Sequence, residues 1–259
     1  MKKLFTVSML FLFSAALFAG DGGGDMKNMR FGVTVLPALN WYKPADPKKF
    51  KNEGMTTALG VLINGEYSFG SNFAIGFGIG ITSAGGKISF LDSVQYSIDD
   101  DKILGWNSAP TTTSKSYRLK TRDYKASYFL LPISLKMRTN EIGYMRYFFE
   151  PRLNIGIRKN VRADDVVADW GAVNEVKQEN LNINKDMSPL CMSVTLSGGG
   201  EYYVSGSTAI VFAIGYQYGL SNTVKGTSTN LVRIKTGASQ QLEQKFAQNG
   251  LVLSVGVLF

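Results

Sequence analysis

Histidine is absent from the 259 residues. With it go the Ser-His and Asp-His pairs by which most membrane-barrel hydrolases activate a nucleophile, and the imidazole ligands of most transition-metal sites. No enzymatic role, bound metal or cofactor is therefore expected. Cysteine occurs once, as Cys191, so no intramolecular disulfide can form and stability in an oxidising compartment must come from packing. Long apolar runs are also lacking: beyond residue 20 no stretch reaches about 18 uninterrupted apolar residues, which excludes a helical inner-membrane protein. Positive charge is only mildly in excess. Subtracting Lys2 and Lys3 from the formal +8 leaves +6, which does not demand a nucleic-acid partner.

Those two lysines precede the apolar run at 10–13 and the small residues Ser14, Ala15, Ala16 and Ala19. The segment 1–19 reads as a secretory signal peptide, its apolar part about 16 residues long against the roughly 20 of a spanning helix. No cysteine follows it, so a lipid anchor is not expected. Residues 20–27 form a short glycine-rich linker, and 28–259 form one domain.

What that domain has in abundance is alternation. Apolar side chains fall on every second position in eight segments: Phe31 to Trp41, Leu59 to Phe69, Phe73 to Ile81, Phe129 to Met137, Tyr147 to Ile157, Leu190 to Leu196, Ile210 to Tyr218 and Leu251 to Phe259. Seven of them span nine to eleven residues and Leu190 to Leu196 spans seven, against the roughly ten that a tilted strand needs to cross a bilayer. A strand in lipid needs both edges paired and one apolar face, which implies a closed barrel. The pattern predicts an all-β, eight-stranded antiparallel up-and-down transmembrane β-barrel, with Phe259 as the C-terminal assembly signal. Short turns near 71, 141 and 206 alternate with long loops at 42–54, 91–123, 159–188 and 221–246. In such barrels short turns face the periplasm, which puts both termini there. The dipeptides Asn64-Gly65 and Asn249-Gly250 resemble hairpin turns, but alternation runs on through Glu66 to Phe69, so both are read as lying within strands.

A soluble barrel or sandwich also alternates. Here, however, the face opposite the apolar one is mostly Gly, Ala, Ser and Thr, as in Gly76, Gly78 and Gly80, which suits a narrow filled lumen better than a wet surface. These glycines do not complete a nucleotide-binding pattern. On the inward parity lie Glu66, Lys136, Arg138, Arg146, Glu150, Arg152, Arg158 and Glu201, with Asn64 and Asn154. An Arg or Lys facing lipid near mid-membrane would cost roughly 2 to 4 kcal/mol. Glu66, Lys136, Glu150, Arg152 and Glu201 are expected to form a lumen charge cluster, with Glu66, Lys136, Glu150 and Glu201 at similar distances from the short turns and so near one level. It serves as a salt-bridge plug, as a selectivity or ligand site, or, least favoured, as a catalytic carboxylate pair. Asp99 to Asp101 lack the spacing of a calcium loop. Lys115, Arg118, Lys120, Arg122 and Lys125 either approach lipopolysaccharide phosphates or are ordinary surface charges. Trp41, Tyr67, Phe69, Phe73, Tyr147, Tyr216 and Tyr218 read as interfacial girdles.

Four segments, Tyr128-Phe-Leu-Leu-Pro-Ile-Ser-Leu-Lys136, Glu150-Pro-Arg-Leu-Asn-Ile-Gly156, Gly199-Gly-Glu-Tyr202 and Gly215-Tyr-Gln-Tyr-Gly-Leu220, resemble the PorT-like outer-membrane β-barrel family. The resemblance implies an eight-stranded barrel in a Gram-negative outer membrane. Expected partners are the barrel-assembly machinery, outer-membrane lipid and lipopolysaccharide, and a surface or secretion-system protein. The expected role is structural or interactive, carried by the long loops, with an accessory part in protein secretion as its narrowest form and a narrow pore or small-ligand carrier as the alternative.

Overall fold

The computed structural model describes residues 28–91, 94–96, 117–169, 175–235 and 238–259. The signal-peptide and linker segments, Asp99 to Asp101 and Lys115 lie outside them. Thirteen strands are present among the described residues: β1 (Met29–Pro44), β2 (Phe50–Gly54), β3 (Thr56–Ser68), β4 (Phe73–Phe90), β5 (Val94–Tyr96), β6 (Tyr117–Arg138), β7 (Met145–Asp169), β8 (Glu175–Asn182), β9 (Leu190–Ser205), β10 (Thr208–Gly219), β11 (Thr227–Lys235), β12 (Ala238–Glu243) and β13 (Phe246–Leu258).

Eight of these form a closed antiparallel ring in the order β1-β3-β4-β6-β7-β9-β10-β13, which returns to β1. The closing seam pairs Gly32 with Leu258 and Pro44 with Phe246. Phe259 continues it, its N–H donating to the Phe31 carbonyl at 2.7 Å while the Phe31 N–H donates back at 3.2 Å. Closure leaves no ring strand with an unpaired edge, the condition for crossing lipid. Asn64-Gly65 and Asn249-Gly250 both lie within strands. The turn between β3 and β4 falls at Gly70, whose φ of 92° is a left-handed conformation that suits glycine. A Cβ on Gly80 would meet the Val61 carbonyl and lie 2.9 Å from Leu62 Cα, so glycine there lets β4 seat against β3.

Around the middle of the ring the apolar residues point outward. Phe73, Ile75, Phe77, Ile79 and Ile81 of β4 are each exposed by about half, as are Phe129, Ile133, Ile157, Phe212, Ile214, Leu253 and Val255 elsewhere. Such a continuous belt far exceeds the isolated apolar patches of a soluble monomer; it is a lipid-facing surface.

The strands do not stop where the belt stops. β6 and β7 have 22 and 25 residues, about twice a bilayer crossing. Beyond Phe129 the outward face of β6 carries Ser127, Lys125 and Asp123, while Tyr128, Ala126 and Tyr124 are buried inside. On β7 the switch coincides with a β-bulge. Tyr128 pairs with Arg158 and Ser127 with Asn160, leaving Lys159 as the extra residue, and past it Val161, Ala163 and Val167 face inward. The regions expected as loops at 42–54, 91–123, 159–188 and 221–246 are therefore largely strand where they are described. β2 pairs with β4, β5 with β6 and β11, β8 with β7, and β12 with β11.

These extensions enclose a second core. Tyr42, Phe50, Ile88, Phe90, Leu119, Tyr124, Leu181, Met187, Leu242 and Phe246 are buried together at the long-connection end. Tyr42 and Tyr124 meet edge to face at 5.3 Å, as do Phe50 and Phe246 at 5.0 Å.

Candidate functional site: the charged lumen

The only charged side chains that an eight-stranded interior admits are those that fill it. Near the short-turn end, β1, β3, β6 and β9 bring Arg30, Glu66, Lys136, Arg138 and Glu201 into one network. Lys136 Nζ lies 2.8 Å from Glu66 Oε2 and 3.0 Å from Glu201 Oε1. Arg30 Nη2 donates to Glu201 Oε2 at 2.8 Å and also to Glu66. Arg138 donates through Nε to Glu201 Oε1 at 3.0 Å and through Nη2 to Glu66. Each of the three cations thus bridges both carboxylates. The Tyr203 hydroxyl supplies a further donor to Glu201 Oε2 at 3.1 Å and accepts from Arg30 Nη1 at 3.0 Å. Lys136 Nζ stands 4.8 Å from the centroid of the Phe148 ring.

Glu201 is fully buried and Glu66 nearly so, yet every carboxylate oxygen has a donor. A buried ion cluster is tolerable when it is so paired, because each charge stripped of water is compensated by fixed partners. Three cations against two carboxylates leave one positive charge.

Glu150 does not join this network. Arg152 holds it separately, donating from Nε at 3.0 Å and Nη2 at 2.8 Å to Glu150 Oε1. The two residues lie two apart on β7 and face the lumen together, so the nearest cation to Glu150 is its own strand neighbour. In the strand register Lys136 of the neighbouring β6 stands opposite Glu150, so the Glu150–Arg152 pair adjoins the network while keeping its own ion pair. Arg30 and Tyr203 are the members that sequence reading missed. The signal for Arg30 was the parity of Gly32 and Thr34 carried one step back, before the first apolar residue of β1. Arg146 sits at the mouth, 3.4 Å from Glu141 and stacked on Tyr203 at 5.4 Å. Arg158 turns inward and donates to the Asn184 and Met187 carbonyls.

Above the ion pairs Leu36, Leu62, Leu130 and Val252 form an apolar layer. Two small cavities flank it, of about 40 Å³ beside Asn64, Glu150 and Ser254 and about 60 Å³ beside Asn40, Asn154 and Thr195; Arg152 borders both. The second core then covers the long-connection end. Within that core Arg122 is buried and clamps Asp165 bidentately at 2.8 and 2.7 Å, so it does not reach toward lipid as the run of basic residues suggested. Lys120 pairs with Glu175 at 2.7 Å, and Lys125 with Asp164. Among the described residues no group of three or more His, Cys, Asp or Glu is placed to hold a metal ion.

The sequence matches the model of the outer membrane protein beta-barrel domain over residues 24–225. The chain belongs to that family. Its place is accordingly the outer membrane. Similar solved structures include Neisserial surface protein A, at 12% identity over 90% of this chain and 96% of that one, TM-score 0.42. OprG from Pseudomonas aeruginosa matches at 9% identity over 89% and 94%, TM-score 0.40, and Ail of Yersinia pestis, in complex with a heparin analogue, at 11% over 90% and 99%, TM-score 0.35. No curated protein matches the sequence significantly.

Proposed function

We propose that this outer-membrane barrel is a non-enzymatic envelope protein with a blocked lumen, which acts through the strand extensions at its long-connection end. In this reading that end faces the exterior and both termini are periplasmic. The observation that carries it is the double closure: a fully paired ion cluster at one end and a packed apolar core at the other. A pore would need water-lined continuity between the ends, whereas the chamber walls here are interrupted by the Leu36–Leu62–Leu130–Val252 layer. Stiff strand-built surfaces present side chains in fixed positions, which favours recognition of a macromolecule. An accessory part in protein secretion rests on the PorT-like segments alone.

The test is recovery of tagged protein from gently solubilised native outer membrane, with wild type compared to a variant shortened within 97–116. A stoichiometric partner lost in the shortened but still heat-modifiable variant supports the reading. The narrow-pore alternative draws on the two polar cavities that share Arg152. Planar-bilayer recordings decide between the two: steady single-channel conductance that changes in Glu150→Gln overturns the blocked lumen.

A further inference from the structure

The larger lumen cavity, of about 60 Å³, is lined unlike the ion network beneath it. Arg152 is the only charged side chain among the described residues that border it, whereas the smaller cavity has Glu66 and Glu150 in its wall beside Lys136 and Arg152. Asn40 of β1 reaches this chamber with 3% exposure, and its Oδ1 is buried without a hydrogen-bond partner. Such an orphan in a closed interior calls for an explanation. Gln217 of β10 and Gln248 of β13 bring two further amides to the same wall. Arg152 spends Nε and Nη2 on Glu150, which leaves Nη1 for the chamber. The charge count points the same way. Arg30, Lys136, Arg138 and Arg152 face Glu66, Glu150 and Glu201, an excess of one positive charge in a lumen closed at both ends. A buried charge without a counterion is costly.

We propose that this chamber binds one small monovalent oxyanion of the size of formate or acetate, held by Arg152 and the amide N–H groups of Asn40, Gln217 and Gln248. The inference rests on the closed lumen proposed above. A water molecule takes about 30 Å³ in the liquid, so the chamber has room for about two waters or one such planar anion. A guanidinium and an amide NH₂ are donors, and donors bond a charged acceptor more strongly than a neutral one. Either rotamer of the Asn40 amide carries an NH₂ that makes no other hydrogen bond among the described residues. Leu36, Leu130 and Val252 part the chamber from the carboxylates of Glu66 and Glu201, which would repel the anion. One bound monoanion also makes the lumen charge even.

Reversible urea unfolding of the full chain in lipid vesicles, with sodium formate against sodium chloride at equal ionic strength, tests the proposal. A ligand that binds only the folded barrel stabilises it by mass action, however slowly it enters, so formate should raise the wild-type urea midpoint along a saturating curve. Asn40→Leu removes the orphaned amide and should fold, but need roughly tenfold more formate for the same rise. Glu150→Gln frees Arg152 from its carboxylate and adds to the positive excess, and should need roughly tenfold less. A rise that is linear in formate, matched by chloride or undiminished in Asn40→Leu is a general salt effect; it overturns the site and leaves water as the occupant. A formate-specific rise accompanied by steady channel conductance would overturn the closed lumen and spare the site.

Discussion

Replacing Glu201 by Gln should cost more than any other single isosteric change in the lumen. Its carboxylate accepts from Arg30 at 2.8 Å, Lys136 at 3.0 Å, Arg138 at 3.0 Å and Tyr203 at 3.1 Å, with no exposure to water. The substitution raises the excess from one positive charge to two, with Glu66 left as the one carboxylate among three cations. Removing one partner from a buried ion cluster costs about 3 to 5 kcal/mol, because the remaining charges stay buried and uncompensated. Urea unfolding of the barrel in lipid vesicles, followed by tryptophan fluorescence, measures the change. Adding Lys136→Met returns the excess to one positive charge and should recover a good part of the loss, giving a coupling energy of about 1 kcal/mol or more between the two sites. By comparison Glu175→Gln, which breaks an exposed pair with Lys120, should change stability by about 0 to 1 kcal/mol. A Glu201→Gln loss no larger than that of Glu175→Gln, or strictly additive effects of Glu201→Gln and Lys136→Met, would refute the bridged-network reasoning.

Phe246→Ala removes a ring packed on Tyr42, Phe50 and Tyr124 and should cost about 3 to 5 kcal/mol in the same unfolding assay. Gly80→Val drives a branched side chain into the β3 backbone and should abolish the heat-modifiable gel mobility of the folded barrel. Asp123, outside the membrane-spanning part, has its carboxyl raised by burial above the ordinary range, an effect that nearby Lys125 only partly offsets, and its Oδ1 accepts no hydrogen bond. The proton then binds the folded state more tightly, so the acid form favours folding and that contribution fades as pH rises through the folded value; Asp123→Asn should raise the urea midpoint at pH 7 and have little effect below the unfolded value.

Most of the ring was legible because lipid imposes a pattern that water does not. With apolar groups outside, Phe73 to Ile81 alternate with glycines, and parity alone placed Glu66, Lys136 and Glu201 inside. The same rule hid the rest. Above Phe129 the outer face of β6 is wet and the inner one apolar, so Lys125 and Asp123 alternate with Tyr124 and Ala126 in the opposite sense. A reader following outward apolar residues sees the strand end there. On β7 the bulge at Lys159 shifts parity by one residue as well, which broke the count in the middle of a continuous strand. For Glu150 parity fixed the face but not the partner: Lys136 stands opposite it on the neighbouring strand β6, yet it is Arg152, two residues along β7, whose guanidinium reaches its carboxylate.

The second core sets an order on assembly. Tyr42 and Phe246 both belong to it, and they come from β1 and β13, the two strands that meet only when the ring closes. Until that seam forms, Tyr42, Phe50 and Tyr124 lack the Phe246 ring that packs on all three. Closure of the barrel and burial of this core are thus one cooperative event. An unclosed ring would be a sticky intermediate marked by exposed aromatics, so the last strand to dock also caps the end of the molecule farthest from the terminus that follows it.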